Sequence, residues 1–342
     1  MMQQLTFLSP GVFEWRDIAP PRLADARQAI VRPLAVARCD LDLYIATGLA
    51  PFAGPFAFGH ESVGEVVEAG DLAGVKPGDR VVVPFQISCG RCDNCRRGYT
   101  NSCSAVPLYS AYGLAGNGRP DFGGALSDLM LVPYADHMLV PLPAGVDPVV
   151  AASACDNIAD GWRGVAPHLA DRPGAAVLIV GGLAQSVGLY AAGSAIALGA
   201  GMVRYLDDNE ASRARAAAMG ADVGPLALAD GRDPEGQFEI VVEAAGSAPA
   251  LAFAVRSTAP NGVLTSVSMH FDAVTPLPLT QAYYKGLTFH TGRVQSRPML
   301  PAVLSCIACG NLHPEHVTSR VATFAEAGDA MADPGPKLVF VR

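Results

Sequence analysis

"AAVLIVGGLAQSVGLYAAGSAIALGAGMVRYLDD", residues 175–208, decides the fold. From Ala175 to Val203 it carries no charged residue and is long enough to span a bilayer. It breaks at Gly181-Gly182, however, holds Gln185 and Ser186 in its middle and lacks flanking aromatic anchors, so a buried strand, a turn and a helix account for it better than a membrane span. "GAAVLIVGG" is a short apolar run rich in branched residues, "SVGLYAAGSAIALGA" is helical, and "MVRYLDD" is a second strand ending in acid. Together they make one βαβ unit. Its turn, "GGLAQSVG", reads as a dinucleotide loop, in which small residues let backbone N–H groups approach a pyrophosphate at a helix N-terminus. Against the pattern G-x-G-x-x-G, Gly182 supplies the tight turn and Gly188 the close helix packing, with Gly181, Ser186 and Val187 lining the same loop. Gln185 stands where the middle glycine is expected. Asp207, about twenty residues beyond the loop, is placed to accept hydrogen bonds from the adenosine ribose hydroxyls. A 2′-phosphate there would be repelled, which favours NAD over NADP; Asp208 next door leaves the register open by one.

Outward from this unit the alternation continues through "FEIVVEAAGS", an apolar helix from Ala248 to Ser257, and "GVLTSVSM" after a turn at Pro260-Asn261-Gly262. This is the pattern of a doubly wound parallel sheet. Before Pro141 the chain reads instead as short strands and loops, and after "YYKGLTFHTG" the period becomes irregular again. The nucleotide domain is therefore expected as an insertion, residues 153–286, within a second domain of residues 1–152 and 287–342. A length of 342 residues suits two domains. Half of the residues are hydrophobic and 16% charged, so there is ample material for a core. The net charge of −8, with no long basic run, excludes nucleic acid and anionic membranes as expected partners and leaves a small molecule. "MMQQLTFLSPGVFEW" lacks a charged region followed by an apolar core, so the expected location is cytoplasmic.

In a reducing compartment eight cysteines suggest thiolate or metal chemistry rather than disulfides. Four lie in "SCGRCDNCRRGYTNSC": Cys89, Cys92, Cys95 and Cys103. Four thiolates in one loop can close a tetrahedron round Zn²⁺, with Gly90 and Gly98 letting the backbone fold about it. An iron–sulfur cluster is the chemical competitor. Either way every ligand is protein, and the loop reads as structural. Elsewhere Cys39, in "VARCDLDLYIATG", precedes His60, in "GHESVGEVVEAG", by a loop rich in Pro, Phe and Gly. A thiolate and an imidazole from one domain can meet over a metal, and "ACDNIADGW" offers Asp156, beside Cys155, as a third donor.

With these residues on the page the chain resembles the zinc-dependent medium-chain alcohol dehydrogenases of the medium-chain dehydrogenase/reductase superfamily over nearly its whole length. The resemblance rests on Cys39-x-x-Asp42, on "GHESVGEVVEAG" followed by "VKPGDRVVVP", on the four-cysteine lobe, on the dinucleotide unit and on the ligand segment before it. It implies a GroES-like, mostly-β catalytic domain carrying an inserted Rossmann domain. It implies two zinc ions per chain, one structural on the four cysteines and one catalytic on Cys39, His60 and Asp156. Asp156 is chosen over Cys155 because the family's ligand lies five residues before a Gly-aromatic pair, here Gly161-Trp162. Glu61 resembles the acid behind the metal, and Asp42 the carboxylate that orients the ligand imidazole. The implied reaction is NAD-linked interconversion of an alcohol and its aldehyde or ketone, by a homodimer or homotetramer.

The chain departs from the family where a proton must travel. Relatives usually carry Ser or Thr two residues after the first zinc cysteine; this sequence has Leu41, which can neither donate nor accept a proton. Three residues on, where relatives often have His, stands Tyr44, whose phenol offers another route. Two other readings follow: a nicotinamide-dependent reductase of an activated C=C or C=N bond, or a non-catalytic zinc and nucleotide-binding protein. Leu49, Phe52, Phe56 and Trp162 are candidate pocket residues. Cys306 and Cys309 read as reduced thiols, His270 as a residue near the nicotinamide, and Arg293 and Arg297 as phosphate contacts or solvated cations.

Overall fold

The strand Ala176–Val180, the helix Gln185–Ala197 and the strand Met202–Leu206 form the βαβ unit of residues 175–208. The computed structural model describes residues 1–226, 228 and 236–342. The charge-free run is thus divided between a strand and a 13-residue helix, and among the described residues no helix is long and apolar enough to cross a membrane. The chain forms two compact units, one of residues 1–159, 294–308 and 318–342 and the other of residues 160–293 and 309–317.

In the second unit six strands make one sheet, in the spatial order Asp222–Gly224, Met202–Leu206, Ala176–Val180, Phe238–Glu243, Thr258–Ser266, Thr288–His290. Every neighbouring pair is parallel. In chain order this is 3-2-1-4-5-6, the doubly wound arrangement, whose direction of winding reverses beside Ala176–Val180. Val177, Leu178, Ile179 and Val180 are all buried, as a strand covered on both faces requires. Two features differ from the sequence reading. Pro260-Asn261-Gly262 does not precede the fifth strand but bulges within it: Thr258 pairs with Phe238 and Val263 with Ile240, and Asn261 takes φ 57°. The short Thr288–His290 also joins the parallel sheet, so this unit runs past residue 286.

The first unit is built on a mainly antiparallel sheet in the order Arg320–Thr323, Leu338–Val341, Ala29–Ala37, Glu61–Ala69, Arg80–Val83, Val140–Pro141, with Met130–Val132 also pairing Ala29–Ala37. A smaller sheet joins Val12–Ile18, Met2–Ser9 and Phe56–Ala57. Their shared core includes Leu5, Phe7, Val31, Phe58, Val66, Val81, Met130 and Phe340. Burying each such side chain contributes about 1.5–3 kcal/mol before entropy is counted. Phe56, read as a pocket residue, is fully committed to this core, with its ring 5.1 Å from that of Phe7.

What positions the site is one strand pair. Ala29–Ala37 and Glu61–Ala69 run antiparallel with Ala37 opposite Glu61. Cys39 and His60, 21 positions apart in sequence, therefore leave the same end of the same ladder.

Candidate functional site

Cys39 is the N-cap of the helix Asp40–Thr47. Its backbone N–H donates to Asp42 Oδ2 at 3.0 Å, closing a capping box, so the residue that caps the helix and the acid three positions on are fixed together. Asp42 also faces the imidazole, with Oδ1 3.4 Å from His60 Nδ1. The other ring nitrogen, Nε2, lies 3.3 Å from Asp156 Oδ2. Asp156 ends the 3₁₀ turn Ala152–Cys155. One donor atom each from Cys39, His60 and Asp156 falls within 4.8 Å of the others, and all three residues are buried. Cys155 goes elsewhere: its Sγ faces the His60 carbonyl at 3.8 Å.

Behind these residues sits a charged layer that the sequence reading reached only in part. Glu61 is fully buried and accepts hydrogen bonds from Ser153 Oγ at 2.6 Å, Asn157 N at 3.2 Å and Lys337 Nζ at 3.0 Å. Lys337, also fully buried, donates to the Arg38 carbonyl at 2.8 Å and to Asn157 Oδ1. Asn157 Nδ2 in turn donates to Cys39 Sγ at 3.5 Å. Lys337, Asn157 and Ser153 are thus site residues that motif reading missed. Their signal was faint: a lysine opening the apolar run "KLVFV" has to bury its ammonium somewhere.

The electrostatics fit a divalent cation. Three carboxylates, Asp42, Glu61 and Asp156, surround the ring and the thiol, against Lys337 and the Arg38 guanidinium, which also faces Asp40 and Asp333. Burial pushes the Cys39 thiol well up, and Asp156, Glu61 and Asp42 push it further. Burial opposes charge on His60, but Asp42 and Asp156 outweigh it and raise the imidazole to about 9. For Asp156 burial also resists ionisation, and His60 overcomes it, holding the carboxyl below its usual range. Thiolate, imidazole and carboxylate are the donor types that bind Zn²⁺, and three protein ligands leave a fourth position open.

The other cluster is local. Cys89, Cys92, Cys95 and Cys103 bring their sulfurs within 4.8 Å of one another. Backbone N–H groups of Arg91 and Cys92 donate to Cys89 Sγ at 3.4 Å, that of Cys89 to Cys103 Sγ at 3.4 Å, and that of Cys95 to Cys92 Sγ at 3.5 Å. Gly90 takes φ 72°, and a Cβ there would lie 2.4 Å from the His137 ring, so only glycine fits this turn.

In the second unit Gly181 and Gly182 follow the strand Ala176–Val180, and Ser186, Val187 and Gly188 lie in the first turn of the helix Gln185–Ala197. Gly182 has φ 151°, and a Cβ there would meet Ala245 Cα at 2.8 Å. Gln185, the departure from the glycine pattern, turns its side chain to Ser212 Oγ at 2.8 Å. Asp207 is buried at the end of Met202–Leu206 whereas Asp208 is exposed, and Asp207 accepts from Tyr205 Oη at 2.9 Å and from Asn209 N at 2.8 Å.

The remaining candidates are engaged locally. His270 Nε2 lies 3.3 Å from the buried Glu243 carboxylate. Arg297 donates to the His137 carbonyl at 2.6 Å. Leu49 is exposed, Phe52 packs on the core of the first unit, and Trp162 is buried in the second. Tyr44 and Leu41 lie on the helix Asp40–Thr47, against the core of the first unit, and burial pushes the Tyr44 phenol up to about 12. Cys306 is partly buried and Cys309 is exposed.

Residues 25–144 match the family described as the alcohol dehydrogenase GroES-like domain. A protein of an Acremonium species named as a medium chain reductase/dehydrogenase is 30% identical over 299 residues, covering 82% of this chain and 98% of its own. The chain belongs to the medium-chain dehydrogenase/reductase superfamily. One relative is named for zinc: a Mycobacterium tuberculosis protein named "Probable zinc-binding alcohol dehydrogenase" is 29% identical over 321 residues, 91% of this chain and 80% of its own. The solved alcohol dehydrogenase TADH of Thermus sp. ATN1 superposes with a TM-score of 0.89 at 29% identity, over 99% of each chain. The first unit is accordingly GroES-like and the second a Rossmann domain, as the sequence resemblance implied for this superfamily.

Proposed function

We propose that this member of the superfamily is a zinc-dependent, NAD-linked oxidoreductase that interconverts an alcohol and its aldehyde or ketone. The observation that carries the reading is the convergence of Cys39, His60 and Asp156, all buried, with Asp42 behind the imidazole. Zinc held by those three would polarise the substrate oxygen as a Lewis acid, and NAD would accept the hydride. The chain's own residues do the rest. Asp42 Oδ1 faces the Nδ1 side of His60 at 3.4 Å, an approach that would orient the ring and leave Nε2 for the metal. Lys337 and Ser153 hold the Glu61 carboxyl in place behind the ligands, so that it is not one of them. In the second unit Gly181, Gly182, Ser186, Val187 and Gly188 would cradle the pyrophosphate, and Asp207 would take the adenosine ribose hydroxyls. Cys89, Cys92, Cys95 and Cys103 would hold a second, structural zinc.

Leu41 favours a second reading, reduction of an activated C=C or C=N bond, in which no proton need leave along a hydroxyl relay. A panel of primary and secondary alcohols with NAD⁺, and of aldehydes and enals with NADH, separates the two. Alcohol oxidation by a protein containing about two zinc ions per chain supports the dehydrogenase. Turnover of enals alone, with no alcohol oxidised at any pH, supports the alternative.

A further inference from the structure

We propose that Tyr205 is a positioning residue for the nucleotide: it lies beneath the dinucleotide loop and presents the Asp207 carboxylate, so that discrimination between NAD and NADP depends on its hydroxyl. The inference rests on the reading of Asp207 as the ribose acceptor and deepens it.

Tyr205 and Asp207 are two apart at the end of the strand Met202–Leu206, so their side chains emerge on the same face. Tyr205 is fully buried. Its hydroxyl fills the space that Gly181 leaves open: a Cβ there would lie 2.7 Å from Tyr205 Oη and 2.5 Å from Asp207 Oδ2, whereas one at Gly188 would meet Ala244 Cβ first, at 3.2 Å. The Gly181 backbone N–H donates to the Leu206 carbonyl at 2.7 Å, which ties the loop to the residue between Tyr205 and Asp207. Loop, ring and carboxylate therefore form one packed unit.

The hydroxyl sets what the carboxylate can do. Oδ1 accepts from the Asn209 N–H at 2.8 Å and Oδ2 from Tyr205 Oη at 2.9 Å. Each oxygen of a carboxylate has two lone-pair directions, so one on each remains for the two hydroxyls of a ribose. Burial works against the charge on Asp207, and the two donors work for it. Without the tyrosine hydroxyl the group is freer to rotate, easier to protonate, and less repulsive to a 2′-phosphate.

The test compares the affinities of the full-length wild type and Tyr205→Phe for NADH and NADPH, by nicotinamide fluorescence, with Asp207→Asn as reference. Losing the hydrogen bond that holds the carboxylate should weaken NADH roughly tenfold. NADPH should bind as before or more tightly, and the ratio should move towards that of Asp207→Asn. A tyrosine that merely supports the loop would weaken both cofactors alike, and that result overturns the proposal; so does an unchanged ratio in Tyr205→Phe when Asp207→Asn narrows it. A wild type without preference for NADH, or a ratio that Asp207→Asn leaves alone, overturns the reading of Asp207 and this inference with it. Should Tyr205→Phe fail to fold, Tyr205→Met removes the same hydroxyl and keeps an apolar side chain in its place, and the same narrowing is required of it.

Discussion

The two clusters of potential metal ligands in the first unit are built in opposite ways. The four cysteines come from fifteen consecutive residues, and their sulfurs accept hydrogen bonds from the backbone of the same loop. The other set draws one donor each from the end of a strand ladder, its partner strand and a 3₁₀ turn, with His60 and Asp156 lying 96 positions apart. It is also mixed in chemistry, buried and backed by a lysine–glutamate pair. A local set of like donors can saturate an ion and staple a loop. A dispersed, mixed set leaves a coordination position free and exists only once the domain has folded. The first should therefore govern stability and the second activity.

The largest effects should separate along that line. Asp156→Ala should remove one of two zinc equivalents and lower the turnover of alcohol by at least about a thousandfold, while circular dichroism and solubility stay those of the wild type. Cys103→Ser should remove the other equivalent and cost most of the folded protein, since a structural zinc contributes on the order of 10 kcal/mol in small domains. Metal analysis with a melting curve reads both. If Cys103→Ser melts like the wild type, or if Asp156→Ala keeps both ions, the contrast between the clusters fails.

A smaller effect tests whether the charged backing belongs to the dispersed set. Lys337→Met keeps the length of the side chain but leaves the Glu61 carboxylate buried without its cation. Breaking a buried pair in this way costs about 3–5 kcal/mol. The melting temperature should fall by several degrees with the structural zinc retained, and zinc affinity at Cys39, His60 and Asp156 should rise, because one cation fewer opposes the ion. Arg320→Met, at the exposed pairs with Glu326 and Asp333, should change neither. A Lys337 variant as stable as the Arg320 variant would detach this layer from the site.

The same contrast explains what was legible beforehand. Whatever a few neighbouring residues decide could be read: the four-cysteine loop, the βαβ unit and the helix Ala248–Ser257. Cys39, His60 and Asp156 were singly ambiguous, and only their order along the chain, through the family resemblance, joined them. Lys337 lies 276 positions from Glu61, and its one local mark, the apolar run it opens, does not say which acid it meets. Tyr205 was hidden differently, as one more aromatic residue in a strand, because its role depends on Gly181 and Asp207 packed against its hydroxyl. Pro260-Asn261-Gly262 was read as a turn for its composition, yet Thr258 before it is already paired, and pairing overrides the local signal.

The smallest effects concern the proton, where the helix behind Cys39 departs from its relatives. Tyr44 is half-buried and burial raises its phenol to about 12, so the group is protonated throughout the range in which the enzyme can be assayed. It can pass a hydrogen bond but cannot hold the phenolate charge a base would need. The pH profile of alcohol oxidation between about pH 6 and 10 should accordingly contain no limb from Tyr44, and Tyr44→Phe should keep its shape with kcat within about threefold. Leu41→Thr asks the converse question. A hydroxyl placed two residues after Cys39 should raise kcat several-fold near neutrality and little at pH 10, where solvent hydroxide already accepts the proton. An alkaline limb that vanishes in Tyr44→Phe would make the phenol the base despite its burial. An unaltered neutral rate in Leu41→Thr, in a protein that still oxidises alcohol, would mean that the proton leaves by a path on which position 41 does not lie.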